Sequence, residues 1–107
     1  MRGLSALEVC NNNGWKVVEI ANCLSRSGRP VPHSHKFVVQ NNNFAAFSVL
    51  ESYGSFVGVS YGWNDKLVND EYLWSATTKR AFGVKIDEIR ELGMSVDEIV
   101  NWCNNLR

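Results

Sequence analysis

The sequence predicts a single α+β domain, and three observations carry that prediction. Strand-like alternation and β-branched runs are confined to about residues 15–63, helical periodicity returns from Thr77 to the carboxy end, and the links between successive strands are too short for crossover connections. The expected architecture is a three- or four-stranded antiparallel sheet spanning about 15–63, packed by an amino-terminal helix and two carboxy-terminal helices. The chain has 107 residues, of which 45% are hydrophobic and 21% charged. That is an ordinary globular composition, with enough apolar surface for one core without disulfide or metal staples.

The elements follow in order. Leu4 to Cys10 places Leu4, Leu7 and Cys10 at helical spacing and stops at Asn11-Asn12-Asn13-Gly14, a helix with a glycine near its end. An Asn13-Gly14 hairpin is the competing reading. Trp15 to Leu24 sets Val18, Ile20 and Leu24 on one pleat face and Trp15, Val17, Ala21 and Cys23 on the other, a strand covered on both sides. Ser25 to Ser34 contains Gly28, Pro30 and Pro32 and is expected to be a surface loop. His35–Gln40, Phe44–Ser52 and Phe56–Trp63 are further strands, separated by Asn41-Asn42-Asn43 and by Tyr53-Gly54. In the last of them Val57, Val59, Tyr61 and Trp63 alternate with Gly58, Ser60 and Gly62, leaving one face so small that a neighbouring backbone, helix or ligand can approach closely. Asn64 to Tyr72 has no regular pattern. Thr77 to Leu92 is helical, and after Gly93 the string Ser95-Val96-Asp97-Glu98 spells a capping box that opens a last helix. Its buried stripe is Val96, Ile99, Val100, Cys103 and Leu106.

Eleven basic and eleven acidic side chains cancel, although residues 1–50 carry a net +3 and residues 51–107 a net −3. A neutral chain without a basic block lacks the electrostatic footprint of nonspecific nucleic-acid binding. The first residues, Met1 to Glu8, lack the apolar stretch of a signal peptide, and no run approaches a membrane span. Cys10, Cys23 and Cys103 are odd in number and far apart, and none of the twelve asparagines begins an N-x-S/T sequon. Together these features imply reduced thiols and a cytoplasmic setting.

Motifs for catalysis are sparse. His33-Ser34-His35 puts two imidazoles on one side of an extended segment, and a third group such as Cys23 would be needed for a metal site. No CxxC, HExxH, P-loop, dinucleotide fingerprint or nucleophile elbow is present. The predicted burial of Cys10 and Cys103 makes them inert thiols. Glu88 and Glu91 share a helix face, as solvent-facing acids commonly do. The expectation is therefore a non-enzymatic protein without metal or cofactor. The string Ile89 to Ile99 resembles the helix–turn–helix corner of MerR-type regulators. It covers about a tenth of the chain and lacks the DNA-reading half, so no regulatory function comes with it.

The most informative segment is Tyr61 to Trp74, which joins four aromatic residues to three carboxylates. Tyr and Trp bring large contact areas at small entropy cost, and acids steer a basic partner. Trp63, Asp65, Asp70, Glu71, Tyr72 and Trp74 are thus candidate partner-binding residues. The alternative is that Trp63 and Trp74 anchor a long connection to the core. A second candidate site, for an anion such as a phosphorylated small molecule or nucleotide, comprises Arg26, Arg29, Lys79 and Arg80, with Thr77 and Thr78 near a helix start. In size, cytoplasmic composition and acidic aromatic segment, the chain looks like toxin-immunity or phage counter-defence proteins, which block another macromolecule. That implies a protein partner with a basic surface, such as a nuclease-type toxin or a defence protein, and no direct contact with nucleic acid or membrane.

Overall fold

A computed structural model describes residues 4–107; Met1 to Gly3, at the start of the segment expected to lack a signal peptide, lie outside the described residues. Helix α1 (Ala6–Asn12) starts where the Ser5 hydroxyl accepts the Glu8 amide, and ends where Trp15 N–H reaches back to the Cys10 carbonyl at 2.9 Å. The Asn-Gly pair therefore terminates a helix. Five strands follow: β1 (Lys16–Leu24), β2 (Pro30–Gln40), β3 (Ala46–Ser52), β4 (Ser55–Tyr61) and β5 (Asn64–Leu67). They form one antiparallel sheet in sequence order. A short 3-10 turn (Glu71–Leu73) leads to α2 (Ala76–Phe82), α3 (Ile86–Leu92) and α4 (Val96–Asn104).

The fold is α+β with an antiparallel sheet, as expected, but three details differ. The sheet has five strands because the polar run Asn64–Leu67 pairs with β4. A Cβ on Gly58 would lie 2.5 Å from the Lys66 carbonyl oxygen, so the missing side chain is what admits the β5 backbone. Pro30 to Ser34 belongs to β2 instead of a loop. Pro30 opens the strand opposite Leu24, and Pro32 has no register partner in either neighbouring strand, so neither proline interrupts the ladder. The stretch from Thr77 to Leu92 is two helices, because Gly83 takes φ 68 and ends α2 with its N–H on the Arg80 and Lys79 carbonyls.

Buried side chains separate into two clusters on opposite faces of the sheet. Val49 and Leu50, neighbours on β3, go to different clusters, as do Leu67 and Val68. One cluster gathers Phe37, Val39, Phe47, Phe56 and Val59 beneath α1 and α4. The other gathers Leu50, Val57 and Leu67 beneath Trp74, Val84 and Ile89 of the α2–α3 region. A bulge at Leu50/Glu51 makes Val57 the extra residue of β4, so Val57 and Val59, two apart in the strand, reach different clusters and both faces of this strand are filled. The small face expected around Gly58 thus accommodates β5 and the second cluster.

β1 departs from expectation. It is an edge strand, bulged at Val17/Glu19 and Asn22/Leu24, and Val18, Ile20 and Leu24 are each more than half exposed while Cys23 is buried. Only one side of it is covered. The α3–α4 link passes from one sheet face to the other around the β5 edge, where Met94 bridges to Val68 and a Cβ on Gly93 would strike the Ile89 carbonyl and Asn69. The two helices in the Ile89–Ile99 string therefore belong to different sides of the sheet, which removes its likeness to a helix–turn–helix corner. α4 opens as its capping box predicts, with the Ser95 hydroxyl accepting the Glu98 amide at 3.2 Å; of its expected stripe Ile99 and Cys103 are buried, and Val96, Val100 and Leu106 are half-buried against the same cluster.

The asparagine tracts do more than turn the chain. Asn41 Nδ2 donates to the Cys103 and Leu106 carbonyls at 2.8 and 3.0 Å, while its Oδ1 accepts the Asn43 and Ala45 amides. Asn104 Oδ1 accepts the Trp15 indole N–H at 2.7 Å. Together these contacts seal the open carbonyls at the end of α4.

Candidate functional sites

The candidate residues of the aromatic segment are dispersed. Gly62 and Trp63 are the two-residue connection between β4 and β5, and Trp63 is fully exposed at 102%. Asp65 is exposed on β5 close by. Beside this hairpin, Tyr61 meets the Trp102 ring edge-on at 6.2 Å, and Lys66 Nζ sits 5.2 Å above the same indole. Tyr72 lies at the other end of the sheet, lining a cleft with Tyr53 and Ser55, and β4 between the two ends is roughly 20 Å long. Trp74 is only 3% exposed, its indole N–H on the Val68 carbonyl at 2.8 Å. Trp74 is an anchor of the connection, as the alternative reading had it, and Trp63 is not.

Two of the three carboxylates are engaged within the chain. Asp70 accepts the Tyr72 amide at 3.0 Å as the cap of the 3-10 turn. Glu71 accepts from Arg90 Nε at 2.8 Å, and that hydrogen bond holds its carboxyl below the usual carboxylate range and the Arg90 guanidinium above its own. Asp65 is in no salt bridge among the described residues.

The Tyr72 cleft, about 560 Å³, is rich in hydroxyls. At its base Thr78 Oγ1 hydrogen-bonds Ser52 Oγ at 2.6 Å and Ser75 Oγ at 2.9 Å. Ser34, the cross-strand partner of Ser52, is fully buried, and its Oγ has no partner among the described residues. His33 and Tyr53 stack at 4.8 Å on the rim, and both hold positive φ, 62° and 52°. A positive φ is uncommon in residues other than glycine; at Tyr53 it follows from the two-residue turn with Gly54. His35 is tied separately, its Nδ1 2.7 Å from Glu51 Oε1 across the β2–β3 pair. No convergent group of three metal-ligating side chains occurs among the described residues.

The basic candidates fare differently. Arg26, Lys79 and Arg80 line one cleft of about 770 Å³, together with Lys85, which sequence reasoning did not include. Arg29 does not line it. The expected hydroxyl contribution fails, because Thr78 is buried in the Ser52 contact and Thr77 lines the other cleft. The cations come together at the end of α2 instead of its start, since the break at Gly83 returns Lys85 toward Lys79 and Arg80.

All three thiols are free and buried. Burial pushes Cys10 up to about 11 and Cys103 up to about 12, and raises Cys23 as well, which suits structural thiols. No helix among the described residues is long and apolar enough to cross a membrane. No protein-family model, curated protein or solved structure matched the chain in comparison.

Proposed function

We propose that this chain is a non-enzymatic cytoplasmic binding protein of the toxin-immunity or counter-defence type, which engages a protein partner through the end of the sheet that carries Trp63. The single observation behind this reading is the fully exposed indole at the tip of a two-residue hairpin. A tryptophan on a two-residue turn presents a large apolar area at small entropy cost, since only two side-chain torsions have to be fixed on binding, the chemistry of an interface anchor. Asp65 supplies the free acid for a basic partner, and Tyr61 and Trp102 extend the aromatic surface behind the hairpin. Tyr72 and Trp74 leave the proposed surface, one for distance and the other for burial, and Asp70 and Glu71 leave it because their carboxylates are engaged.

Co-expression and pull-down with the wild-type chain and with Trp63→Ala tests the reading. A stoichiometric protein should co-purify with the first and be lost from the second, with both chains folded by circular dichroism. Against that partner Trp63→Ala should weaken binding by about 2 kcal/mol or more. Asp65→Asn should slow association and flatten its salt dependence. A folded Trp63→Ala chain that keeps the partner at full affinity overturns the reading.

A further inference from the structure

The basic cleft lies apart from the Trp63 hairpin and makes a separate argument. Four cations line it, Arg26 from the β1–β2 turn, Lys79 and Arg80 from the end of α2, and Lys85 from the α2–α3 link. No carboxylate lines it among the described residues, and none of the four is in a salt bridge there. Glu71 lies within the influence of Lys79 but is held by Arg90, and Glu88 Oε1 accepts the Lys85 amide. Like charges gathered in one concavity raise its potential for anions, and phosphates match this donor chemistry.

The walls are ordered on both sides. Ser25 N–H meets the Arg29 carbonyl at 2.8 Å and Gly28 N–H the Ser25 carbonyl at 2.9 Å, so Arg26 and Ser27 sit in a closed turn. Opposite, Val84 N–H reaches the Lys79 carbonyl at 2.9 Å, which sets the position of Lys85. Leu24 and Val84 supply apolar wall between the cations. A ligand that fits carries both phosphate charge and an uncharged body with a flat or apolar surface, and an arginine plane stacks well on such a body. The concavity is bounded and the chain has no net charge, so a small ligand fits better than a long polyanion, which needs an extended basic track.

We propose that this cleft binds a phosphorylated small molecule of the nucleotide class, with its phosphates on Arg26, Lys79, Arg80 and Lys85 and its body against Leu24 and Val84. Titration of the ¹⁵N-labelled chain with ADP, with inorganic pyrophosphate and with a short single-stranded oligonucleotide tests it. ADP should shift the amides of Ser25–Gly28 and Gly83–Lys85 and bind more tightly than pyrophosphate, which lacks the body. Removing cations should weaken ADP by about tenfold each, in Lys79→Gln/Arg80→Gln and independently in Arg26→Gln, whose position in a turn spares α2. Lys16→Gln, at the far end of β1, should leave ADP affinity unchanged. The proposal is overturned if millimolar ADP shifts no amide in the cleft, if pyrophosphate or the oligonucleotide binds as tightly as ADP, or if Lys16→Gln weakens ADP as much as the cleft variants do.

Discussion

The two faces of the sheet are built to different standards. Under α1 and α4, thirteen described residues form a buried apolar cluster, and the asparagines around it have their polar atoms paired, Asn41 alone making four hydrogen bonds. Under α2 and α3 the cluster has six such residues, and beside it lie three buried hydroxyl side chains, one of them with an orphan oxygen. Both clefts draw residues from α2, on the thinner side. The two clefts occur where packing is least complete, as expected when concave sites are drawn from the less stable parts of a fold, whereas the Trp63 hairpin backs onto Tyr61 and Trp102 at the margin of the larger cluster.

Core truncations break this comparison most directly. Phe56→Ala should cost about 3–5 kcal/mol and Ile99→Ala about 2–5 kcal/mol, while Ile89→Ala should lie near the low end, about 2 kcal/mol, because its cluster is smaller and more open to collapse. Urea unfolding of the three variants checks the order, and an Ile89→Ala loss above both others would invert the assignment of the stronger face.

Next in size, Asn41→Ala should cost about 1–3 kcal/mol by leaving the Asn43 and Ala45 amides unpaired and taking one donor each from the Cys103 and Leu106 carbonyls. It should also release the end of α4, seen as faster amide exchange beyond Cys103.

On the other face the hydroxyls separate the two standards more finely. Thr78→Val keeps the shape but removes the Ser52 and Ser75 contacts, and should cost about 1 kcal/mol. Ser34→Ala should be neutral or slightly stabilising, since its Oγ has no partner to lose. A loss as large as that of Thr78→Val would show that a water completes the cluster.

The thiols are silent at neutral pH and emerge only in base. Cys10 and Cys103 are held at about 11 and about 12 when folded, against 9.0 ordinarily. The unfolded chain ionises first, so stability is whole below about pH 9 and is lost as pH rises through the folded values. Wild type should therefore lose stability faster as pH rises from about 9 through about 11 and 12 than a Cys10→Ala/Cys103→Ala variant, and reductant should leave the melting temperature of wild type unchanged.

The parts of this fold legible in the sequence are those decided by a few adjacent residues. Ser95 to Glu98 announces a helix start, Tyr53-Gly54 a hairpin, and Val96 to Leu106 a buried stripe, because each depends on local backbone chemistry. β5 was illegible because Asn64-Asp65-Lys66-Leu67 has little strand propensity and pairs on account of the bare backbone at Gly58, a non-local cause. The bulge that sends Val57 and Val59 to different faces leaves no mark on the alternation. Of the candidate sites, Arg26, Lys79 and Arg80 were legible as residue types, but their meeting depends on a helix break that moves Lys85 into the same cleft. The aromatic segment misleads for the opposite reason, since Trp63 and Tyr72 are close along the chain but lie at opposite ends of the sheet.

The bulges of β1 have a consequence for how the protein behaves in a crowd. This strand is the longest unpaired rim of the sheet, nine residues with Val18 and Ile20 turned outward, and a straight rim of that kind would template the strands of other copies. Its two register breaks leave only Glu19 to Asn22 in uninterrupted register, with a charge at the first of them. A stretch of four residues offers fewer consecutive pairings than the roughly six that seed a stacked assembly, so the irregularities that spoil the ladder should also disfavour fibre growth along that rim in concentrated solution.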